Sequence, residues 1–431
     1  MRSLTILCLL GATQTAYGIG IDLSQIYKNG FRVFAADANP TSSAVSPVTT
    51  SAAPAPASTG RPALQLPPPM PKKWPSVDQT NFITGDLLKD PLVQDALAYV
   101  QSVVPASLLS IAPSTYVSGS TVKYTADANA NCYWPSNLCV RAAAGNGYQA
   151  DVYTCPQPGT WGISFDDGPT VDPVTHDDSA AIRAQLDKMN IKGTFFVVGS
   201  NVIQNPQIVL DEYNDGHQIG VHTWTHHPLT SCTNEQIVAE LKYAEAIVYN
   251  ATGQIPYFFR PPYGDIDDRV RAIANALGYS VTIWDKDDLA ADQTTTSVSV
   301  ANKLINTATS TWFTNYTAGF ISLSHDIDPF TSGVILSILQ YVDANRATIK
   351  LNIEPVGTCV NKPWFRPLKN ATATTTTSAS ASSTAAASAS SSPSPTNGSN
   401  LVSGSASTFK GLGLQLVSAA AALAFGVAMN F

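Results

Sequence analysis

The sequence predicts an α/β fold in which parallel strands and helices form a distorted (β/α) barrel. Between Cys155 and Cys359, short runs rich in β-branched and aromatic residues alternate with helical stretches. The chemically useful polar residues follow the ends of the predicted strands, and parallel strands bring such residues to one face. Seven strands and six helices favour a barrel over an open sheet, although periodicity alone does not separate the two.

The predicted elements are short and alternate regularly along the chain. The strands are expected at 161–165, 193–198, 218–222, 257–260, 280–284, 319–323 and 349–353. The helices are expected at 178–189, 206–214, 233–249, 267–277, 298–308 and 333–345. The sequence Thr233-Asn234-Glu235-Gln236 resembles a capping box at the start of one of these helices. We therefore assign residues 155–360 to one folded α/β domain, the main domain of the chain.

Both ends of the 431-residue chain have compositions unlike that of a globular domain. Residues 1–18 combine Arg2, a short apolar run and small residues, which is typical of a secretory signal peptide. Residues 19–75 are rich in Pro, Ser and Ala, and such a segment buries too little apolar surface to fold. We expect an extended spacer there.

The C-terminal part predicts attachment to a membrane. Residues 361–400 form a Ser/Thr-rich stalk, and 401–431 end in an apolar tail with no basic residues beyond it. This pattern predicts a GPI-attachment signal that is removed, with attachment at Asn397 or Ser403. An ordinary transmembrane anchor is the alternative. Either anchor holds the protein at a membrane.

Glycosylation and disulfide formation are expected of a secreted chain. The N-glycosylation sequons begin at Asn250, Asn315, Asn370 and Asn397. Loss of the signal peptide removes Cys8 and leaves five cysteines in an oxidising compartment, so one thiol stays without an intramolecular partner.

Residues 76–154 are irregular apart from one predicted helix at 91–104. A short disulfide loop packed on the catalytic domain is expected, with Cys132 pairing to Cys139 or Cys232. The sequence assigns this segment no function.

The net charge of −7 and a charged fraction of 13% include no basic block, which excludes a nucleic-acid partner.

Five short motifs follow the ends of predicted strands, and each alone has an ordinary structural explanation. Asp-Gly-Pro is common in turns, Arg-Pro-Pro forms a rigid extended connection, and two histidines four residues apart often occur by chance on a protein surface. Their occurrence together, in order and at strand ends, favours one site. The motifs are Asp166-Asp167-Gly168-Pro169, the run from His222 to Pro228, Arg260-Pro261-Pro262-Tyr263, the run from Trp284 to Asp288, and Leu323-Ser324-His325-Asp326.

One carboxylate and two imidazoles suffice as protein ligands of a divalent ion and leave positions open for water and substrate. His222 and His226 are four residues apart and would face the same way across one helical turn, whereas His227 would point elsewhere. Adjacent acids at Asp166 and Asp167 allow one to hold the metal while the other takes a proton from water.

These motifs resemble those of the polysaccharide deacetylases, carbohydrate esterase family four with its NodB-homology domain, and most closely those of fungal chitin deacetylases. The resemblance implies that Asp166 is the catalytic base. It also implies that Asp167, His222 and His226 bind one divalent metal ion, with zinc expected and cobalt compatible with the same ligands.

The resemblance gives further residues a role. Arg260 would orient Asp166, and the backbone N–H of Tyr263 would donate to the oxyanion. Leu323 would line the pocket for the acetyl methyl group. His325 would be the general acid, and Asp287 would tune it.

Cys155 and Cys359 flank the domain and are well placed to join its ends. Two departures from the family pattern are visible: His227 intervenes before Pro228, and the fourth motif, Asp287-Asp288-Leu289-Ala290, lacks the usual tryptophan.

The expected function is removal of N-acetyl groups from chitin or chitin oligomers by a monomeric enzyme. We expect it at the cell surface, secreted and GPI-anchored to the plasma membrane, where it would meet cell-wall polysaccharide. One alternative is a deacetylase of another glycan such as acetylxylan. The other is a non-catalytic, chitin-binding wall mannoprotein, which the altered fourth motif favours. Retention of a base, three metal ligands and an acid favours an enzyme.

Overall fold

The computed structural model describes residues 64, 66–173, 176–314 and 317–368. The predicted signal peptide, the anchor signal, and most of the N-terminal spacer and stalk lie outside these residues, as do Asn315, Asn370, Asn397 and Ser403. Among the described residues, no helix has the length and apolar character needed to cross a membrane.

Strands and helices alternate through the catalytic domain, as the sequence predicts. The strands are β1 Thr115–Ser118, β2 Thr121–Lys123, β3 Thr160–Asp166, β4 Val171–Asp172, β5 His176–Asp177, β6 Thr194–Val197, β7 Gln218–Val221, β8 Ile255–Pro256, β9 Phe258–Phe259, β10 Ser280–Val281, β11 Lys286–Asp287, β12 Phe320–His325, β13 Asn352–Pro355 and β14 Phe365–Arg366. The helices are α1 Pro91–Val103, α2 Ala106–Leu109, α3 Trp134–Asn137, α4 Ala180–Lys188, α5 Gly199–Val202, α6 Pro206–Asn214, α7 Asn234–Thr252, α8 Asp268–Ala276, α9 Val298–Thr311, α10 Pro329–Ala344 and α11 Val356–Cys359. Short 3₁₀ turns occur at Gly85–Leu87, Leu229–Ser231 and Pro262–Gly264.

The central sheet is parallel, with strand order β10-β9-β7-β6-β3-β12-β11, and β13 pairs with the first half of β3. Strands β10 and β11, at the two ends of this order, belong to one short stretch of chain. This stretch bonds to β9 on one side and to β12 on the other. Thr282 N donates to Phe259 O on one side, and Asp285 N donates to Ile321 O on the other. The sheet therefore closes into a barrel, and the predicted fold class is confirmed.

Strand β3 lies at the centre of the core, and all seven of its residues are buried. Its aromatic rings pack on those of neighbouring elements: Phe165 stacks on Phe195 with centroids 4.8 Å apart, and Trp161 stacks on Phe320 at 5.6 Å. A strand buried on both faces suits a parallel sheet covered by helices. Because β3 is held on both edges, its last residue, Asp166, has a fixed position.

Helix α7 is long, packs against α1, and buries every residue from Ile237 to Val248. The predicted capping box is present, since Thr233 accepts from Gln236 N and the Gln236 side chain accepts from Thr233 N. The helix ends at Gly253, whose φ of 70° is left-handed.

Two disulfides join the described cysteines. Cys155 bonds Cys359 across 204 residues, as expected, and Cys132 bonds Cys139. Cys232 is buried and free, which decides between the two partners considered for Cys132. The long disulfide ties the start of β3 to the end of α11 and constrains the unfolded chain.

Ordered contacts extend beyond residues 76 and 360, where the sequence predicts that the folded part begins and ends. Before residue 76, Trp74 stacks on Trp224 with centroids 5.6 Å apart. After residue 360, the buried Arg366 donates to the carbonyl oxygens of Pro256 and Leu277 and pairs with Glu245. The spacer and stalk therefore each contribute residues to the core.

Several element boundaries also differ from prediction, by one to four residues. The last barrel strand begins at Asn352, three residues late, and α10 begins at Pro329 rather than at Gly333. Asp328 caps α10 by accepting from the backbone N–H groups of Phe330 and Thr331. This Asp-Pro start signal follows directly after the last motif.

Arg366→Ala is expected to destabilise the fold by about 3–5 kcal/mol, because removal of one partner leaves the buried Glu245 carboxylate incompletely compensated. Urea unfolding of the purified chain measures this loss. The control is Lys89→Ala, which removes an exposed ion pair with Asp86 and should leave the midpoint unchanged. Equal midpoints for both variants would contradict a structural role for Arg366.

Candidate active site

The two adjacent acids stand at the carboxyl end of β3. Asp166 is the last residue of the strand and is 2% exposed. Asp167 has a left-handed φ of 78°, and this turns the chain out of the strand. A Cβ atom at Gly168 would lie 2.7 Å from a carboxylate oxygen of Asp326, so this position admits only glycine without a shift.

The two predicted histidine ligands converge on Asp167. The Nε2 atoms of His222 and His226 lie 3.0 Å and 2.9 Å from Asp167 Oδ1, and 3.2 Å from each other. The chain between the histidines is an irregular loop in which Thr223 and His226 have positive φ. The expected helical turn is therefore wrong, although the expected pair of histidines does face one point.

The local chemistry of these three side chains fits a divalent metal ion. His222 Nδ1 lies 2.8 Å from Arg260 O, and a carbonyl only accepts, so Nδ1 carries the proton and Nε2 presents a lone pair. Asp167 Oδ1 is buried and has no hydrogen bond of good geometry among the described residues. One carboxylate and two imidazoles form a ligand set typical of zinc, and their donor atoms lie within 4.8 Å of one another.

The side chain of Arg260 contacts the proposed base, Asp166. Its Nη1 donates to Asp166 Oδ1 at 2.7 Å, and both side chains are buried. The guanidinium carbon lies over the Phe196 ring, 4.4 Å from its centre, in a cation–π contact. The second oxygen of Asp166 lies 3.8 Å from His222 Nε2 and faces the ligand set.

His325 approaches the ligand set from the neighbouring strand. It is the last residue of β12, in register with Asp166, and its Nε2 lies 3.8 Å from Asp167 Oδ2. Burial lowers the pKa of His325, but the surrounding carboxylates, Asp167 first, outweigh burial and raise it. A protonated imidazole beside the site is suited to give a proton to a leaving amine.

The predicted tuning of His325 by Asp287 is only partly visible. Asp287 Oδ1 accepts from Leu289 N at 2.7 Å, and His325 Nδ1 has no hydrogen-bond partner in the described part of the chain. Asp288, which the sequence analysis did not single out, is 2% exposed and raises the pKa of His325 more than Asp287 does. Burial, with Asp288 nearby, raises the pKa of Asp287 to about 7.

Tyr263 and Leu323 lie at the same end of the barrel. Tyr263 has a left-handed φ of 59°, and its hydroxyl lies 3.0 Å from His226 Nδ1, a contact that the sequence did not predict. Leu323 is buried two residues before His325 on β12, so the two side chains share a face of the strand. The structure therefore brings together every residue assigned to the site.

Supporting residues come from helices that carry no motif. Glu240 in α7 accepts from the backbone N–H groups of Trp224 and Thr225, at 2.9 Å and 2.8 Å. Asn201 in α5 donates to Asp167 O at 2.8 Å. Both residues were missed, because a buried acid or amide on a helix has no sequence signature.

Comparison with known proteins places this fold and site in a family. Residues 154–282 match the polysaccharide deacetylase family. Chitin deacetylase 1 of Cryptococcus neoformans var. grubii is 32% identical over 386 residues, covering 84% of this chain and 76% of that one. The chain therefore belongs to the polysaccharide deacetylase family, and its relatives include fungal chitin deacetylases.

Other relatives match shorter stretches. The chitin deacetylase of Amylomyces rouxii is 35% identical over 252 residues, which is 57% of this chain and 56% of that relative. The solved structure of the chitin deacetylase from Colletotrichum lindemuthianum covers 50% of this chain and 94% of its own, at 21% identity and a TM-score of 0.45.

Gly168→Ala is expected to lower both stability, by about 1–3 kcal/mol, and activity, because the new methyl group collides with the buried Asp326 carboxylate. Thermal unfolding and turnover measure the two effects. Gly333→Ala is the matched control: its Cβ meets nothing within 4 Å, and it lies inside α10. The control should gain about 0.5–1 kcal/mol. A Gly168→Ala variant as stable and active as wild type would contradict the packing described.

Proposed function

We propose that this chain hydrolyses the N-acetyl groups of N-acetylglucosamine units in chitin, with one divalent metal ion bound by Asp167, His222 and His226. The observation that carries the proposal is the convergence of the three ligand atoms between Asp166 and His325. The names of the fungal relatives support the choice of chitin. A binding protein would have no use for this combination of groups.

The side chains divide the work of amide hydrolysis. A bound metal ion supplies Lewis acidity and lowers the pKa of water. Asp166 has one oxygen bonded to Arg260 and the other facing the ligand set, so it is placed to take the proton of the attacking water. Water oxygen adds to the acetyl carbon, the C–N bond breaks, and His325 gives its proton to the amine. The products are acetate and glucosamine units.

Residues near the reacting carbon complete this proposal. The backbone N–H of Tyr263 would donate to the oxyanion, and the hydroxyl of Tyr263 orients His226. Leu323 would line the acetyl methyl pocket. The ligand set favours zinc and also accommodates cobalt.

A surface location is part of the proposal. Two disulfides suit an oxidising compartment, and Asn250, the one sequon residue within the described ranges, is exposed near the end of α7. The apolar C-terminal sequence supports a GPI anchor at the plasma membrane. The enzyme would then act on polysaccharide of the cell wall.

Asp166→Asn is expected to reduce turnover at least about 10²-fold while zinc stays bound, because the variant loses the base and keeps all three ligands. His222→Ala should lose both zinc and turnover. Acetate release and the zinc content of the purified variants measure these outcomes. Normal turnover in Asp166→Asn would refute the base assignment.

The substrate is tested by acetate release from chitin oligomers and from acetylxylan, each with chelator and then with added zinc. The proposal expects release from chitin that chelator abolishes and zinc restores. Release from acetylxylan alone would mean that the substrate is an O-acetylated glycan and not chitin. A folded, zinc-loaded chain that releases acetate from neither would overturn the enzymatic proposal.

A further inference from the structure

Residues 74–82 and 114–116 lie directly against the loop that carries the two histidine ligands. We call these residues the clamp. Trp74 stacks on Trp224, with centroids 5.6 Å apart and planes 9° from parallel, and Trp224 Nε1 donates to Ser76 O at 2.8 Å. Trp224 is fully buried and lies between His222 and His226 in the chain. The clamp therefore closes the outer side of the ligand loop.

The additional histidine of this loop is the second contact of the clamp. The ring of His227 packs on Phe82 at 3.8 Å and on Tyr116 at 5.3 Å. The Thr225 hydroxyl donates to Glu240 Oε1 at 2.5 Å, so His227 Nδ1, at 2.7 Å, is the group that donates to Thr225. His227, the residue by which this chain departs from the family's motif, thus links the ligand loop to the clamp and, through Thr225, to α7.

The clamp also reaches the third ligand. Gln79 Nε2 donates to Ser200 Oγ and to Asn201 Oδ1, both at 3.0 Å. The same Asn201 side chain donates through Nδ2 to Asp167 O at 2.8 Å. Gln79 and Phe82, three residues apart, are therefore coupled to Asp167 and to the histidine loop respectively.

These ligands need such support because their backbone is strained. Asp167, Thr223 and His226 have φ of 78°, 66° and 59°, in the left-handed region that residues other than glycine rarely adopt. Residues in this conformation are strained and persist where the surroundings hold them. Contacts on the outer side of both loops supply that restraint.

We propose that the clamp is a positioning element of the metal site, which sets the distance between the histidine loop and Asp167 and so determines metal affinity. This inference rests on the metal site of the proposed function. It gives a role to the N-terminal segment, for which the sequence provided none. A segment that only covered core surface would change stability without changing metal affinity.

The test compares Gln79→Ala and Phe82→Ala with Phe365→Ala in the secreted chain. Phe365 is also half-buried and packs edge-on against one ring, that of Tyr213, but it lies on β14 and not at the site. Zinc affinity is measured by competition with a chelator, and stability by thermal unfolding of the metal-free protein. Each clamp variant is expected to bind zinc about 10-fold more weakly. Phe365→Ala should lose stability and keep its affinity, and Phe82→Tyr should keep the affinity of wild type.

Clamp variants that lose stability as the control does, yet bind zinc as tightly as wild type, would overturn the inference. A wild-type chain that binds no zinc would overturn it together with the proposed function. A chain that binds zinc but releases no acetate would sink the proposed function alone, because the titration decides the inference without turnover.

Discussion

The ion pair between Arg260 and Asp166 is the interaction on which the site depends. Neither side chain reaches solvent, and a buried charge is tolerated only when it is paired. The same arginine accepts a hydrogen bond from His222 Nδ1 through its carbonyl oxygen. One residue thus fixes the proposed base by its side chain and a proposed metal ligand by its backbone, and this links the ends of β3, β7 and β9.

Much of the fold follows from patterns that are local in the sequence. Helix α6 has the predicted bounds, and the capping box at Thr233 is present because each depends on a few neighbouring residues. The two ends of the folded part depend instead on contacts between residues that are distant in the sequence. Trp74 and Arg366 sit in stretches of polar and Pro-rich composition, and each is ordered by partners more than a hundred residues away.

The sequence motifs select the candidate site residues, but they do not predict the contacts that hold those residues in place. Asp167, His222 and His226 do converge, but through a loop with left-handed residues rather than through a helical turn. Non-glycine residues in that conformation leave no mark in the sequence. Glu240, Asn201 and Gln79 hold the ligands from helices and from the N-terminal segment, so only the tertiary structure identifies them. The neighbouring acids Asp287 and Asp288 are a second example. Which of the two raises the pKa of His325 more depends on their positions in the fold, which the sequence does not give.

The placement of β14 has a mechanical consequence. It pairs with β8, which precedes β9, and Arg366 lies against Gly278, which precedes β10. The last described residues are therefore at the amino edge of the barrel, whereas the site is at the carboxyl edge. A pull on the chain at Leu368 would be borne by Arg366 and by the Cys155–Cys359 bond, at the far end of the barrel from the proposed metal ligands.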